Sequence, residues 1–593
     1  MLKRLFPVLT GPLALCACAT VPAADQARVE ETAPATAPAA QGMVSAADPR
    51  AVEAGIAMLR KGGSATDAAI ATMLALNIVE PQNSGIGGGL FFVRHDGQSR
   101  RIATLDGREA APAAAGPDWF LGPDGKPQPG RDIYRGGRAT GVPGALAAMA
   151  EAHKRWGKLP WADLFEPAIA LAHDGFVVSA RMHNGLRLYG THVTGWARET
   201  YWPGGEPLAE GATLRMPLTA QTLERFAKDG PASLYTGELA QEAVAALNSA
   251  EALPSKMTAE DFAGYTVIER DPVCGTYRVW RICGMGPPAS GGISVLSILK
   301  QLERFDMAGL GRTSPVAWHL IAESERLAYA DRNAYIADPG FVDVPVAGLT
   351  AGDYLAERSQ LLSETTSLRT IEAGKPTGAP EMAASRDWAD LGTSSLTVVD
   401  GAGNIQQITT TINGYYGNGI SVGGLMLNNE LPDFDMMPER NGVPVANRVE
   451  GGKRPRSSLS PTIVYAPDGS PRIAIGAAGG STIIAQVAKA LVGVLDWKLS
   501  AQDAVAMGLI YAPGTKKATV EEGTELVAMV PALRALGEEI EVGPLGLKAN
   551  AIEWVDGRLV GAADPRSEGV AMDIAGTMTQ IRRRENNLNG AHD

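Results

Sequence analysis

The sequence predicts an α+β fold with helices packed on antiparallel sheets. Three observations point to it. Helical apolar periodicity recurs over 48–82, 141–182 and 316–339. Strand–turn–strand texture takes over after residue 393. Gly (69) and Pro (39) are frequent enough for many tight turns. At 593 residues the chain exceeds what one simple core supports, so either two domains or one large layered unit is expected. A net charge of −12 argues against nucleic acid or an anionic membrane surface as the main partner.

The elements follow in order. Lys3 and Arg4 precede an apolar run, Leu5 to Ala19, too short to span a bilayer. Residues 1–18 therefore read as a signal peptide. Leu15-Cys16-Ala17-Cys18 resembles the lipobox of bacterial lipoproteins, with Cys18 as the lipidated residue. Ala17-Cys18-Ala19 also satisfies ordinary signal cleavage near Ala19. Either reading exports the chain to the periplasm, with membrane attachment only through a lipid on Cys18. No later run is apolar enough to span. Residues 19–42 are Ala/Pro/Thr-rich and read as a flexible tether.

Asp48 and Pro49 open a helix that stops at the glycines 62 and 63. Ser64-x-x-Asp67 caps a second, apolar helix. "NSGIGGGLFFVRHDG" turns into a strand. In "PVCGTYRVWRICGMGPP", a two-residue turn at Arg278-Val279 would put Cys274 opposite Cys283. Exported chains favour a disulfide there, with two buried thiols as the alternative; no clustered His supports a metal site. Residues 316–339 form an amphipathic helix ending near Asp338-Pro339. After 393 come "SLTVVD", "IQQITTTI", "SPTIVYAPDG" and "PRIAIGAAGG" as strands, then a helix over 481–497.

Familiar catalytic patterns fail on inspection. Gly419-Ile420-Ser421-Val422-Gly423 has G-x-S-x-G spacing, but no helix follows and the only later histidine is His592. "GIGGGL" lacks dinucleotide-binding spacing, and there is no P-loop. Gly392-Thr393-Ser394-Ser395 remains, directly ahead of a hairpin. If its turn centres on Ala402, Thr393 sits opposite Thr411 with both side chains on one face.

Ten stretches carry a resemblance: "GGSATDAAIA", "GIGGGLFF", "LDGREAAPAAA", "TGVPGALAAM", "PPASGGI", "AYADRNAYIADP", "GTSSLTVVDGAGN", "GISVGGLMLNNELPDF", "KRPRSSLSPTIV" and "GAAGGSTII". In this order, from Gly62 to Ile484, they resemble the γ-glutamyltranspeptidase (glutathione hydrolase) family. The resemblance implies an N-terminal-nucleophile hydrolase with a four-layer αββα sandwich. It implies self-cleavage between Gly392 and Thr393, giving a large subunit, 43–392, and a small subunit, 393–593, as a heterodimer. Thr393 is then the nucleophile and its freed α-amine the base. That amine titrates near ~7.7–8.0 when unperturbed, so no histidine is needed.

The same resemblance assigns Thr411 to orient Thr393, and Gly479 and Gly480 to donate N–H groups to the oxyanion. It assigns Arg108, Ser457 and Ser458 to the α-carboxylate of a γ-glutamyl donor, and Asn413, Glu430 and Asp433 to its α-ammonium. Glutathione or a related γ-glutamyl amide is the implied donor, with water, an amino acid or a dipeptide as acceptor. No cofactor and no metal are implied.

Three departures stand out. Ser395 replaces the family's histidine after the nucleophile. Gly476-Ala477-Ala478-Gly479-Gly480 lacks the family's proline. The stretch from Phe434 to Lys453, where many members carry a lid, is short and has no tyrosine. Two alternatives remain: a cephalosporin-acylase-like amidase of the same fold, and an uncleaved lipoprotein that binds γ-glutamyl peptides.

Overall fold

Local sequence sets the first elements of the computed structural model, which describes residues 42–386, 392–579 and 581. Strand β1 (Met43–Ala46) leads into α1 (Pro49–Arg60), where Asp48 accepts from the Arg50 amide and Pro49 fills the first turn. Helix α2 (Ala65–Val79) opens with a reciprocal Ser64–Asp67 capping box and is buried almost all round, as its apolar sequence requires. The glycines at 85–88 turn the chain into β2 (Gly89–His95), followed by β3 (Ile102–Gly107). Strands β4 (Ile268–Glu269), β5 (Val273–Tyr277) and β6 (Trp280–Gly284) precede helices α3 (Gly291–Leu302) and α4 (Pro315–Tyr335).

Helix α4 stops short of the expected end at Asp338-Pro339. Proline disfavours helix in the residue before it, and the Asp338 carboxylate is held by Arg270 and the Arg454 amide instead.

Beyond Gly392 the chain forms β7 (Ser394–Val399), β8 (Ile405–Thr411), β9 (Thr462–Tyr465), β10 (Pro471–Ala478), helix α5 (Ile483–Leu495), β11 (Lys548–Val555), β12 (Arg558–Ala563) and β13 (Val570–Asp573). Two large sheets result. One has the order β13-β1-β7-β8-β2-β3-β4, the other β12-β11-β10-β9-β6-β5. Helices α1 and α2 pack on the first sheet, and α3 and α5 on the second. Strands β7 and β8 lie against β10 and β11 between the sheets. Each sheet takes strands from both sides of Gly392, so the described residues form one compact unit.

Strand β7 shows how period-two patterning serves both neighbours. Leu396 and Val398 join the core under α2, while Val399 faces the core shared with the second sheet. The β7–β8 register runs from Ile405↔Val399 to Thr410↔Ser394, as a turn about Ala402 requires. Cys274 pairs with Cys283 and Tyr277 with Trp280, leaving Arg278-Val279 as the turn, and the two sulfurs are bonded.

The expected signal peptide, its Cys18 and the tether lie outside the described residues, except for Gly42. Its carbonyl accepts from the Ile574 amide. Among the described residues, no helix is long and apolar enough to cross a membrane.

Candidate active site

Thr393, Thr411, Asn413, Arg108, Glu430, Asp433, Ser457, Ser458 and Gly480 line a single cavity. Gly479 immediately precedes it in the chain. The β7–β8 hairpin supplies one wall. The Thr393 hydroxyl donates to the Gly392 carbonyl at 2.5 Å, and the Thr411 hydroxyl donates to the same oxygen at 2.6 Å. The two hydroxyls are 3.5 Å apart, and the Asn413 amide donates to Thr411 Oγ1 at 2.7 Å. Both donors polarise the Gly392–Thr393 peptide bond. Glycine is required at 392 because a Cβ there would lie 2.2 Å from the Asn413 carbonyl oxygen.

A second wall is the turn between β10 and α5. Gly479 (φ 128°) and Gly480 (φ 58°) adopt backbone that other residues resist. The turn is pinned on every side. Gln486 Nε2 donates to the Ala478 carbonyl at 2.8 Å and Thr482 Oγ1 to the Gly479 carbonyl at 2.7 Å. The Tyr329 hydroxyl donates to the Ser481 carbonyl, and Tyr511 to Ser481 Oγ at 2.6 Å. Helix α5 starts here, so its unpaired N-terminal amides favour negative charge nearby.

The third wall is charged. Arg108, at the end of β3, is buried. Its Nη1 donates to Glu430, its Nη2 to Asp433 at 2.5 Å, and Nε and Nη2 donate to the Pro455 and Arg456 carbonyls at 3.2 Å. Burial works against its charge, but Glu430 and Asp433 outweigh that and keep it protonated. Reading the sequence separated Arg108 from the two carboxylates, as opposite ends of a ligand. Here they form one cluster, in which the guanidinium and the two carboxylates offset each other's burial. Asn413 Nδ2 reaches Asp433 at 3.4 Å.

Behind Arg108, Glu109 is fully buried, 3.7 Å from the guanidinium, in space that Gly89 and Gly141 leave open. Burial pushes its carboxyl up to about 7, against the pull of Arg108.

Ser457 is braced by the "PPASGGI" loop. Its carbonyl accepts from the Ser290 amide at 2.7 Å and the Ser290 hydroxyl at 2.6 Å, and its amide donates to the Pro288 carbonyl. Arg332, Arg456, Leu459, Ser481 and Ile483 also line the cavity, and reading the sequence missed them. A signal existed for one pair: Tyr329 and Arg332 are three apart on α4 and so share a face.

Another group of ligand-type side chains, His319, Glu323 and Glu538, lies elsewhere among the described residues. Arg326 already bonds both carboxylates, at 2.5 and 2.6 Å, and occupies the place of a cation.

With this geometry in view, comparison with known proteins is decisive. The sequence model of the family described as Gamma-glutamyltranspeptidase matches residues 51–574. The chain belongs to that family. The glutathione hydrolase proenzyme of Bacillus subtilis (strain 168) is 35% identical over 546 residues, covering 90% of this chain and 91% of that one. The Acylase ACY 1 proenzyme of Pseudomonas sp. (strain SE83) is 34% identical, covering 92% and 95%. A solved cephalosporin acylase from Bacillus halodurans superposes with a TM-score of 0.77 at 25% identity, covering 92% and 96%.

Two departures from the γ-glutamyltranspeptidase pattern now have a physical setting. Ser395 does not line the cavity. It lies between the sheets, where Gln407 Nε2 donates to its Oγ at 3.0 Å and Gly476 leaves room for both side chains. The turn that lacks proline is held by the Tyr329 and Tyr511 hydroxyls. The G-x-S-x-G serine, Ser421, sits in a short hairpin with Leu425–Met426, and no helix follows it.

Proposed function

We propose that this protein is an exported, self-processing γ-glutamyl hydrolase and transferase with Thr393 as nucleophile. The observation that carries this is the convergence of two threonine hydroxyls on one scissile carbonyl, beside a buried arginine–dicarboxylate cluster, in a member of this family. The packing of helices outside two facing sheets supports the four-layer αββα reading. The periplasm is the proposed compartment, with Cys18 as anchor.

Maturation starts when Thr393 Oγ attacks the Gly392 carbonyl carbon. The acyl group moves from nitrogen to oxygen, and water hydrolyses the ester. Gly392 keeps a carboxylate and Thr393 gains a free amine. That amine then takes the Thr393 hydroxyl proton in each catalytic cycle.

A γ-glutamyl donor is a zwitterion at its α-carbon, and it suits the Arg108 cluster by exchange of partners. Its carboxylate takes Arg108, Ser457 and Ser458; its ammonium takes Glu430, Asp433 and Asn413. No charge is left buried alone. Thr393 attacks the γ-carbonyl, the Gly479 and Gly480 amides hold the oxyanion, and the amine leaves with the proton. Water or an amino acid then takes the acyl group.

The acylase relatives favour a second reading, turnover of glutaryl amides. A glutaryl group has no ammonium, so Glu430 and Asp433 would lose their compensation. Steady-state turnover of glutathione against a glutaryl amide decides between them. We expect glutathione to be preferred by at least about 10²-fold in kcat/KM. The reverse preference selects the acylase, and turnover of neither with an intact single chain selects a binding role.

A further inference from the structure

Arg332, on α4, lines the cavity. Its Nη2 donates to Ser458 Oγ at 2.7 Å, and its Nε donates to Ser290 Oγ at 2.8 Å. The Ser290 hydroxyl in turn donates to the Ser457 carbonyl at 2.6 Å. The direction of these bonds matters. A guanidinium has donors and no acceptor, so a hydroxyl that accepts from it must send its own hydrogen elsewhere. Ser290 sends its hydrogen to the Ser457 carbonyl. Ser458 lines the cavity, and no other described residue accepts from its Oγ, so its hydrogen is left for whatever the cavity holds.

We infer that Arg332 is a positioning residue for donor recognition: it fixes the Ser458 hydroxyl as a hydrogen-bond donor to the donor's α-carboxylate and, through Ser290, anchors Ser457 beside it. This rests on the γ-glutamyl reading of the cavity. The role is separate from that of Arg108. Arg108 supplies the charge that meets the carboxylate, whereas Arg332 sets the polarity of a neutral hydroxyl. Lysine, which also only donates, can replace part of this role. Glutamine cannot, because its amide oxygen can accept from Ser458 and reverse the bond.

The test is the kinetics of γ-glutamyl-p-nitroanilide hydrolysis by wild type, Arg332→Gln, Arg332→Lys, Ser458→Ala and the Arg332→Gln/Ser458→Ala double variant, with intact mass to confirm maturation. We expect Arg332→Gln to raise KM about tenfold or more while kcat stays within about threefold. Arg332→Lys should recover most of that loss. In the Ser458→Ala background, Arg332→Gln should cost less than it does in wild type, and the remaining loss reads the Ser290–Ser457 arm. Independent, multiplying losses overturn the inference, as do equal losses in the Lys and Gln variants, or a loss in kcat with KM unchanged. If Arg332→Gln does not mature, Ser290→Ala reads the other arm: a raised KM supports the inference and an unchanged one overturns it. Wild type without γ-glutamyl turnover overturns the underlying reading, whereas wild-type turnover with any of the contrary variant patterns overturns this inference alone.

Discussion

Arg108 and Arg326 are both buried, and each grips two carboxylates, Glu430 and Asp433 in one case and Glu323 and Glu538 in the other. Their surroundings differ. Around Arg326 the protein supplies the remaining partners. Its Nε and Nη2 donate to the Thr515 and Lys516 carbonyls, His319 Nδ1 meets Glu538 at 2.6 Å, and the Leu368 amide donates to Glu323 at 2.6 Å. All four of its carboxylate oxygens are bonded within the protein, although a second cavity borders it, and it staples the chain before Gly392 to the chain after it. Around Arg108 the Asp433 side chain is a quarter exposed and opens onto the cavity that Thr393 lines. An arginine between two carboxylates is structural in one place and, in the proposed function, receptive in the other. What separates them is exposure: Glu323 and Glu538 are buried, whereas Asp433 is partly exposed beside Thr393.

Substitution should break this likeness. Arg108→Gln is expected to lower kcat/KM for γ-glutamyl donors by about 10²- to 10³-fold while self-cleavage continues, read by steady-state kinetics and intact mass. Arg326→Gln should instead leave Glu323 and Glu538 buried without their cation and cost about 3–5 kcal/mol of stability, read by denaturant unfolding. Turnover per folded molecule should stay within about twofold. If the two variants swap phenotypes, the distinction between the two clusters is wrong.

A smaller effect sharpens the picture of the oxyanion turn. Tyr511→Phe removes the hydrogen bond to Ser481 Oγ and is expected to lower kcat about three- to tenfold with KM unchanged. A change confined to KM would place Tyr511 in donor binding instead.

The smallest effects are in pH dependence. Burial pulls His319 down, but its bond to Glu538 outweighs this and raises it above the ordinary histidine value. A raised histidine stabilises fully below about pH 6.5, and that contribution fades as pH climbs through the raised value. Thermal stability should therefore decline as pH climbs above about 6.5 through the raised value, and His319→Gln should remove that slope. Glu109, pushed up to about 7 by burial, is neutral below that pH and charged above it. Once charged, it competes with the donor's carboxylate for Arg108. Donor KM should rise a few-fold above about pH 7, and Glu109→Gln should flatten the rise.

Much of the hairpin was legible in the sequence because its determinants are local. Alternation and the turn at Asp400–Asn404 place Thr393 near Thr411, and the same arithmetic pairs Cys274 with Cys283. Convergence of the site residues was legible only through family motifs, since Arg108 and Asp433 are 325 positions apart. Contacts between distant elements were not legible. The bond from Arg332 to Ser458, the network around Arg326 and the burial of Glu109 depend on how α4 and β3 pack against loops from the other half of the chain. The close neighbour that demands glycine at 392 is the Asn413 carbonyl oxygen.

The central claim is that Thr393 heads a chain the protein makes by cutting itself. Intact mass of the purified protein under denaturing conditions, beside Thr393→Ala, tests it most directly. From a 62.0 kDa chain the account predicts a light chain of roughly 21 kDa beginning with threonine, and a single uncut chain in the variant. A single uncut wild-type chain would contradict it, as would cleavage that persists at the same bond in Thr393→Ala.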